Sequence, residues 1–326
     1  MINQGPRIQP AKNSMPLEDT IRSSDFILTE AAVVEALRRD TSISLHPRLE
    51  HTLLIYDSKG VAVLGQLYKN FINIAYKADI PILVCTPTWR ANPERLQSAG
   101  IEANVNRDAA EFLLDIKNGF PTFAPSVFVG GLLGCKNDCY KPEDALTTAQ
   151  AENFHSWQSR KLAESGVDFL LAATLPSVSE ATGIALAMQQ TKLPYILSFV
   201  INSSGLILDG TELAAAFKEI DGAARNHRPL GYMVNCAYPS FLNPRRQSSF
   251  VFQRLLGFQA NASSKDHSEL DGCERLQMDD IYDWGNHMIA LNKKYKIKVL
   301  GGCCGTSCQH LEYLVKGIRH QQDQNG

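Results

Sequence analysis

The chain is short of several things, and each shortage closes off a class of function. Its first apolar run ends at Glu30-Ala31-Ala32, with neither G-x-G-x-x-G nor G-x-x-x-x-G-K. That argues against the phosphate cradle of a nucleotide-binding doubly wound sheet. Nor do His155, His227, His267, His287 and His310 form an H-E-x-x-H pattern. They read as surface or satisfied core histidines, and Asp266-His267 carries no D-x-H-x-x-G signature of a cobalamin site. The formal net charge is only −2 over 326 residues. That balance excludes nucleic acid and an anionic membrane as main partners. No apolar run reaches the length that spans a bilayer. Met1 to Ser24 is polar and proline-containing, so it reads as an N-terminal tail, residues 1–24, loose or lying as an arm over the folded domain, and not as a secretory leader. Eight cysteines without a leader then favour reduced thiols, metal or catalysis over a disulfide framework, and a cytoplasmic location.

What is present is a repeated unit. Phe26 to Glu30 reads as a first strand, followed by a helix from Ala31 to Arg39 with Val33, Val34 and Leu37 as its apolar stripe. Val63, Leu64, Leu67, Phe71 and Ile74 recur at helical spacing before the continuous apolar run Pro81 to Cys85. Further strands are read at Ser126–Val129, Phe169–Ala173, Tyr195–Val200, Gly231–Val234, Leu255–Gln259 and Lys298–Leu300, mostly separated by helices. Strands apolar on both faces and alternating with helices mean a parallel sheet covered on both sides. Eight such units in this length predict a single (β/α)8 TIM barrel over residues 25–320, with a short C-terminal tail at 321–326.

In a barrel of this kind the chemistry sits at the C-terminal ends of the strands. Cys236 follows the sixth strand, and Cys303 and Cys304 follow the eighth, on the turn Gly301-Gly302-Cys303-Cys304-Gly305-Thr306. Those ends are separated by one strand only, which finishes at Asn261. Three thiolates are therefore expected to converge at one mouth with one coordination position open, the pattern of catalytic zinc. The plainer reading of Cys303-Cys304 is a tight turn with two small buried residues. Cys135 and Cys139 lie four apart but lack a second pair at zinc-finger spacing. Cys85, Cys273 and Cys308 read as packing residues or exposed thiols.

With these residues in hand, the chain resembles the homocysteine S-methyltransferase family from Phe26 to Ile318. Gly301 to Thr306 matches the family's signature end, and Val234-Asn235-Cys236 the segment that carries its first zinc cysteine. Supporting matches are Thr86 to Asn92, Thr174 to Ser177 and Leu208 to Thr211. The resemblance implies a zinc-bearing (β/α)8 barrel with Zn2+ on Cys236, Cys303 and Cys304. It also implies methyl transfer from a small activated donor to a thiol acceptor. Glu30, Thr86, Thr174, Asn235 and Asn261 are carried over from it as substrate-binding residues. No protein nucleophile is assigned, since the substrate sulfur is the nucleophile.

Three departures from the family pattern matter. Glu30-Ala31-Ala32 stands where the family has Asp-Gly-Gly, and Ala173 stands where it has a glutamate before Thr174. Of the family's turn after the seventh strand only Asn261 keeps its place. The two acids help to hold the amino group of homocysteine in the family. Three readings stay open at this stage: methyl transfer to homocysteine or a related thiol, a divergent enzyme with another acceptor, and a zinc- or thiol-binding barrel without catalysis. The donor is unassigned, and so is oligomeric state, with a homo-oligomer left open.

Overall fold

The computed structural model describes residues 15–266, 269 and 277–322; Cys273, His267 and the last four residues of the expected C-terminal tail lie outside them. Eight parallel strands close into a barrel in sequence order. They are β1 (Ile27–Thr29), β2 (Ile82–Cys85), β3 (Val127–Gly134), β4 (Phe169–Leu175), β5 (Tyr195–Phe199), β6 (Gly231–Ala237), β7 (Leu255–Ala260) and β8 (Val299–Gly302). Closure is made by β1 pairing with β8, Ile27 opposite Val299 and Leu28 opposite Leu300.

The uninterrupted apolar runs are explained by alternation between two cores. Ile27, Leu83, Phe128, Phe169, Ile196, Met233 and Val299 point into the barrel and form one cluster. Their neighbours Leu28, Ile82, Val127, Leu170, Leu197, Tyr232 and Leu300 belong to the larger cluster between sheet and helices. Successive side chains on a strand face opposite ways, so both faces must be apolar when both are covered.

The helices are α1 (Leu17–Ser23), α2 (Val34–Arg39), α3 (Ser58–Lys77), α4 (Pro93–Ser98), α5 (Val105–Asn118), α6 (Thr148–Ala163), α7 (Val178–Gln189), α8 (Leu213–Ala223), α9 (Ser249–Arg254), α10 (Ile281–Tyr295) and α11 (Cys308–Gln322). Several start where the sequence supplies a cap. The Asp57 carboxylate accepts from Gly60 N at the start of α3, and Asp280 accepts from Tyr282 N and Asp283 N at α10. Helices α4 and α5 fall in a stretch left without an element in the sequence reading. Their signals are Asn92-Pro93, where Asn92 caps Arg95 N, and the helical spacing of Ala109, Leu113 and Ile116.

The N-terminal stretch and the start of α2 are both fixed by the segments that flank β8. Within the stretch read as an N-terminal tail, α1 buries Leu17 and Ile21 against the barrel's inner cluster. Lys298 Nζ fixes it by donating to Ile21 O at 2.8 Å and Arg22 O at 3.1 Å. Helix α2 begins at Val34 rather than at Ala31, because Ala32 N donates to Thr306 Oγ1 at 3.1 Å and is held out of the helix.

Candidate active site

Two breaks in strand register shape the C-terminal rim. Pairing of β6 with β7 passes from Asn235–Gln259 to Ala237–Ala260, leaving Cys236 as the extra residue. Pairing of β4 with β5 passes from Ala172–Leu197 to Leu175–Phe199 and leaves Ala173 and Thr174 in the irregular stretch. Bulges re-aim side chains and gather beside active sites. At both places the backbone turns left-handed, with φ of 53° at Cys236 and 63° at Thr174. That region is costly for a non-glycine residue, most of all a β-branched one.

Asn235 holds both strained residues. Its Oδ1 accepts from Thr174 N at 3.0 Å and from Ser198 Oγ at 2.7 Å. Its Nδ2 donates to Thr174 Oγ1 at 2.8 Å and reaches Cys236 Sγ at 3.4 Å. The ends of β4, β5 and β6 are thus tied to one buried amide. Ser198 is a member that sequence reading missed, since a lone serine in an apolar strand gives no signal.

The β8 end is placed by close backbone approach. A Cβ on Gly301 would lie 2.5 Å from Thr29 Cγ2, and one on Gly302 would lie 2.0 Å from Thr306 Oγ1. Both positions therefore require glycine, and they do so inside β8, not on a turn. The turn itself comes at Gly305, with φ of 81°. Gly302 N donates to Glu30 O, Cys303 N to Ala260 O at 2.7 Å, and Thr306 Oγ1 to Cys303 O at 2.6 Å.

These constraints bring three sulfurs together. Cys236 Sγ and Cys303 Sγ are 2.9 Å apart. With Cys304 Sγ they lie within 4.8 Å of one another, the one such group of potential metal ligands among the described residues. Cys135 and Cys139 are buried and join no such group, although Cys139 lines the same cavity. Within the trio, bonds from Cys236 and Cys304 hold the Cys303 thiol well below its ordinary range. Bonding to Cys303 and Cys304, with burial, pushes Cys236 up. One thiolate is therefore favoured, with its neighbours donating to it.

The trio opens onto a cavity of about 620 Å³. Its lining also includes Glu30, Tyr68, Cys85, Trp89, Leu171 and Ala173. Glu30 is 6% exposed and its Oε2 accepts from Cys85 N at 3.3 Å. Burial raises its carboxyl to about 8, against the lowering effect of that bond. Tyr68 OH donates to Cys85 O at 2.7 Å and closes the floor behind it. Trp89 Nε1 donates to Ala173 O at 3.4 Å, so the indole lies along the wall where Ala173 leaves space.

The carried-over residues divide into two groups. Glu30, Thr174 and Asn235 line the cavity. Thr86 does not: its hydroxyl bonds Thr88 Oγ1 at 2.7 Å and accepts from Leu132 N, tying β2 to β3. Asn261 also stays outside the lining; its backbone joins Ala237 O and the Trp284 indole. It sits in the segment that pins β7 to the cysteine turn, where Ala262 N donates to Cys304 O at 2.9 Å. Trp89, Arg90, Tyr140 and Gln259 are lining residues that sequence reading did not single out as site residues.

A profile of the homocysteine S-methyltransferase family matches residues 24–318. The chain belongs to that family. It is a methyltransferase, and its class of acceptor is a thiol. Among solved structures it is similar to the homocysteine methyltransferase MmuM of Escherichia coli in its metallated form. That match has TM-score 0.70 and 16% identity, over 93% of this chain and 100% of that one. The oxidised form matches with TM-score 0.68 and 17% identity, over 93% and 99%. The apo form matches with TM-score 0.61 and 15% identity, over 91% and 97%. At these identities the likeness shows the barrel. No helix among the described residues of this thiol methyltransferase is long and apolar enough to cross a membrane.

Proposed function

We propose that the protein is a zinc-dependent S-methyltransferase that moves a methyl group from a small sulfonium or ammonium donor to homocysteine or a related thiol. The observation that carries this reading is the meeting of Cys236, Cys303 and Cys304 at the mouth of the cavity. Three sulfur donors fit a soft divalent ion, and three protein ligands leave room for one exchangeable group. Bound there, zinc would supply the Lewis acidity that strips an incoming thiol of its proton, which at a pKa near 8.5 is otherwise mostly retained.

The chain's own residues do the rest. Cys236, Cys303 and Cys304 would hold such an ion as three thiolates, leaving a formal charge of about −1 that would keep the acceptor sulfur electron-rich. Asn235 holds Cys236 in its left-handed conformation, so the sulfur faces the cavity. Leu171, Ala173 and Trp89 present apolar surface that excludes water from the transfer path. In the reaction the acceptor sulfur's pair forms the new S–CH3 bond. The bond from methyl to the donor heteroatom breaks, its electron pair stays with the donor, and the thiol proton leaves to solvent.

A second reading keeps the chemistry and changes the acceptor. It is favoured by Ala173, which brings no carboxylate where the family has one, and by Ala31 and Ala32 in place of two glycines, with Glu30 the acid that remains in the cavity. Homocysteine titrated into zinc-loaded protein separates the two: tight binding supports the first and ends the second. Zinc content measured in wild type and in Cys236→Ser tests the ligand set common to both. About one ion per wild-type chain and little in the variant is expected; an unchanged content removes the assignment.

A further inference from the structure

We infer that Arg90 forms an anion subsite of the cavity that takes a carboxylate on the thiol acceptor; this rests on the thiol-transfer reading above. Arg90 follows β2 and is 7% exposed. It lines the same cavity as the three sulfurs. Its guanidinium carbon lies 4.0 Å from the centroid of the Trp89 ring, and Trp89 is in turn bonded to Ala173 O on β4. The cation is therefore held flat against a wall of the cavity by an aromatic face.

Its hydrogen bonding is uneven. Nη1 donates to Cys135 O at 2.9 Å and Asn137 O at 2.8 Å, and approaches Cys135 Sγ at 3.9 Å. Nε and Nη2 make no hydrogen bond with the described residues. Neither is sealed from solvent, since neither is among the orphaned buried atoms. Among the described residues no carboxylate lies within 4.0 Å of Arg90. Arg95 adds a second guanidinium to the same loop by donating to Lys136 O at 3.4 Å, and it too has no carboxylate partner within that distance.

A guanidinium this buried loses much of its hydration, and carbonyl dipoles and a ring face return only part of it. An anion with two oxygens restores the balance through the two nitrogens still open, in the fork geometry that arginine offers and lysine does not. The competing carboxylates are committed elsewhere. Glu50 is paired with Arg38 at 2.8 Å, Glu35 accepts from Gly305 N, Glu30 accepts from Cys85 N on the cavity floor, and Asp138 accepts from Tyr140 N at 2.9 Å and lies beyond 4.0 Å of Arg90. A mere loop staple needs Nη1 alone. The open pair of nitrogens is what points to a ligand.

The test uses zinc-loaded full-length protein and calorimetric titration with three thiols: 3-mercaptopropionate, 4-mercaptobutyrate and L-homocysteine. Each is compared with its own carboxamide, which keeps shape and sulfur but removes the negative charge. In wild type at least one acid is expected to bind about tenfold or more tighter than its amide. Arg90→Gln removes that preference while leaving amide affinity and zinc content within about twofold. Arg90→Lys, with a point charge in place of the fork, retains part of it. Thiols that bind equally well as acid and amide in wild type overturn the subsite alone. So does a preference that survives Arg90→Gln, or equal weakening of acids and amides in both variants, which marks a staple. Failure of every thiol, acid or amide, to bind overturns the thiol-transfer reading and the subsite with it.

Discussion

On the β6–β8 side of the cavity, every element converges on three sulfurs. A bulge exposes Cys236, Asn235 braces it, and two glycines let Thr29 and Thr306 close in behind Cys303 and Cys304. On the β1–β4 side, which adjoins β8 through β1, the wall is made of alanines, an indole, a buried carboxyl and a guanidinium without a counter-ion among the described residues. The first side is defined by three sulfurs that the surrounding backbone holds together. The second is defined by what it lacks, and under the proposed reaction it is where acceptor choice would change while the sulfur chemistry stays. The two sides meet where Asn235 holds Thr174 and where Gly302 N donates to Glu30 O, so a substitution at either seam is felt by both.

The largest effect is expected on the sulfur side. Cys303→Ser should lower methyl transfer by more than about a hundredfold, together with zinc content, because a hard hydroxyl replaces a soft thiolate. Retained zinc with full turnover would break the comparison at its stronger end. Next is Asn235→Ala, which leaves Thr174 N without its acceptor and frees Cys236 from its brace. A loss of roughly 10–100-fold in zinc affinity or turnover is expected, as for residues that orient metal ligands. Competition with a chromophoric chelator reads it.

A gain is expected on the β1–β4 wall. Ala173→Glu places a carboxylate beside Trp89, and affinity for L-homocysteine relative to 4-mercaptobutyrate should rise about tenfold. An unchanged ratio would show that this wall does not meet the ammonium end. The smallest effect concerns Glu30. Burial keeps its folded carboxyl near 8, above its ordinary 4.5, so the folded state holds a proton that the unfolded chain releases. Wild type should therefore lose stability relative to Glu30→Gln as pH rises from about 4.5 to about 8, and hold level above that. Urea midpoints of both proteins across that range give the result; a difference that widens in wild type's favour as pH rises would contradict it.

The barrel was legible because covered parallel strands must be apolar on both faces, which leaves unbroken runs such as Phe169–Ala173 and Tyr195–Val200. Strand ends were less so. β3 continues through Gly130 and Gly131 to Gly134, since Phe169, Leu162 and Trp89 fill the space their side chains would occupy. Of the site, the cysteines stood out because sulfur at strand ends is rare and specific. Thr86 looked like a site residue by motif yet spends its hydroxyl on Thr88 and Leu132. Ser198, Trp89 and Arg90 act through partners far away in the chain, and a single sequence carries no mark of those pairings.

Helix α1 has a consequence for traffic through the molecule. By seating Leu17 and Ile21 beneath Ile27, Phe169 and Val299, it stoppers the end of the barrel remote from the cysteines. Among the described residues the cavity is thus backed by packed side chains, and whatever binds in it arrives on the rim that carries the sulfurs.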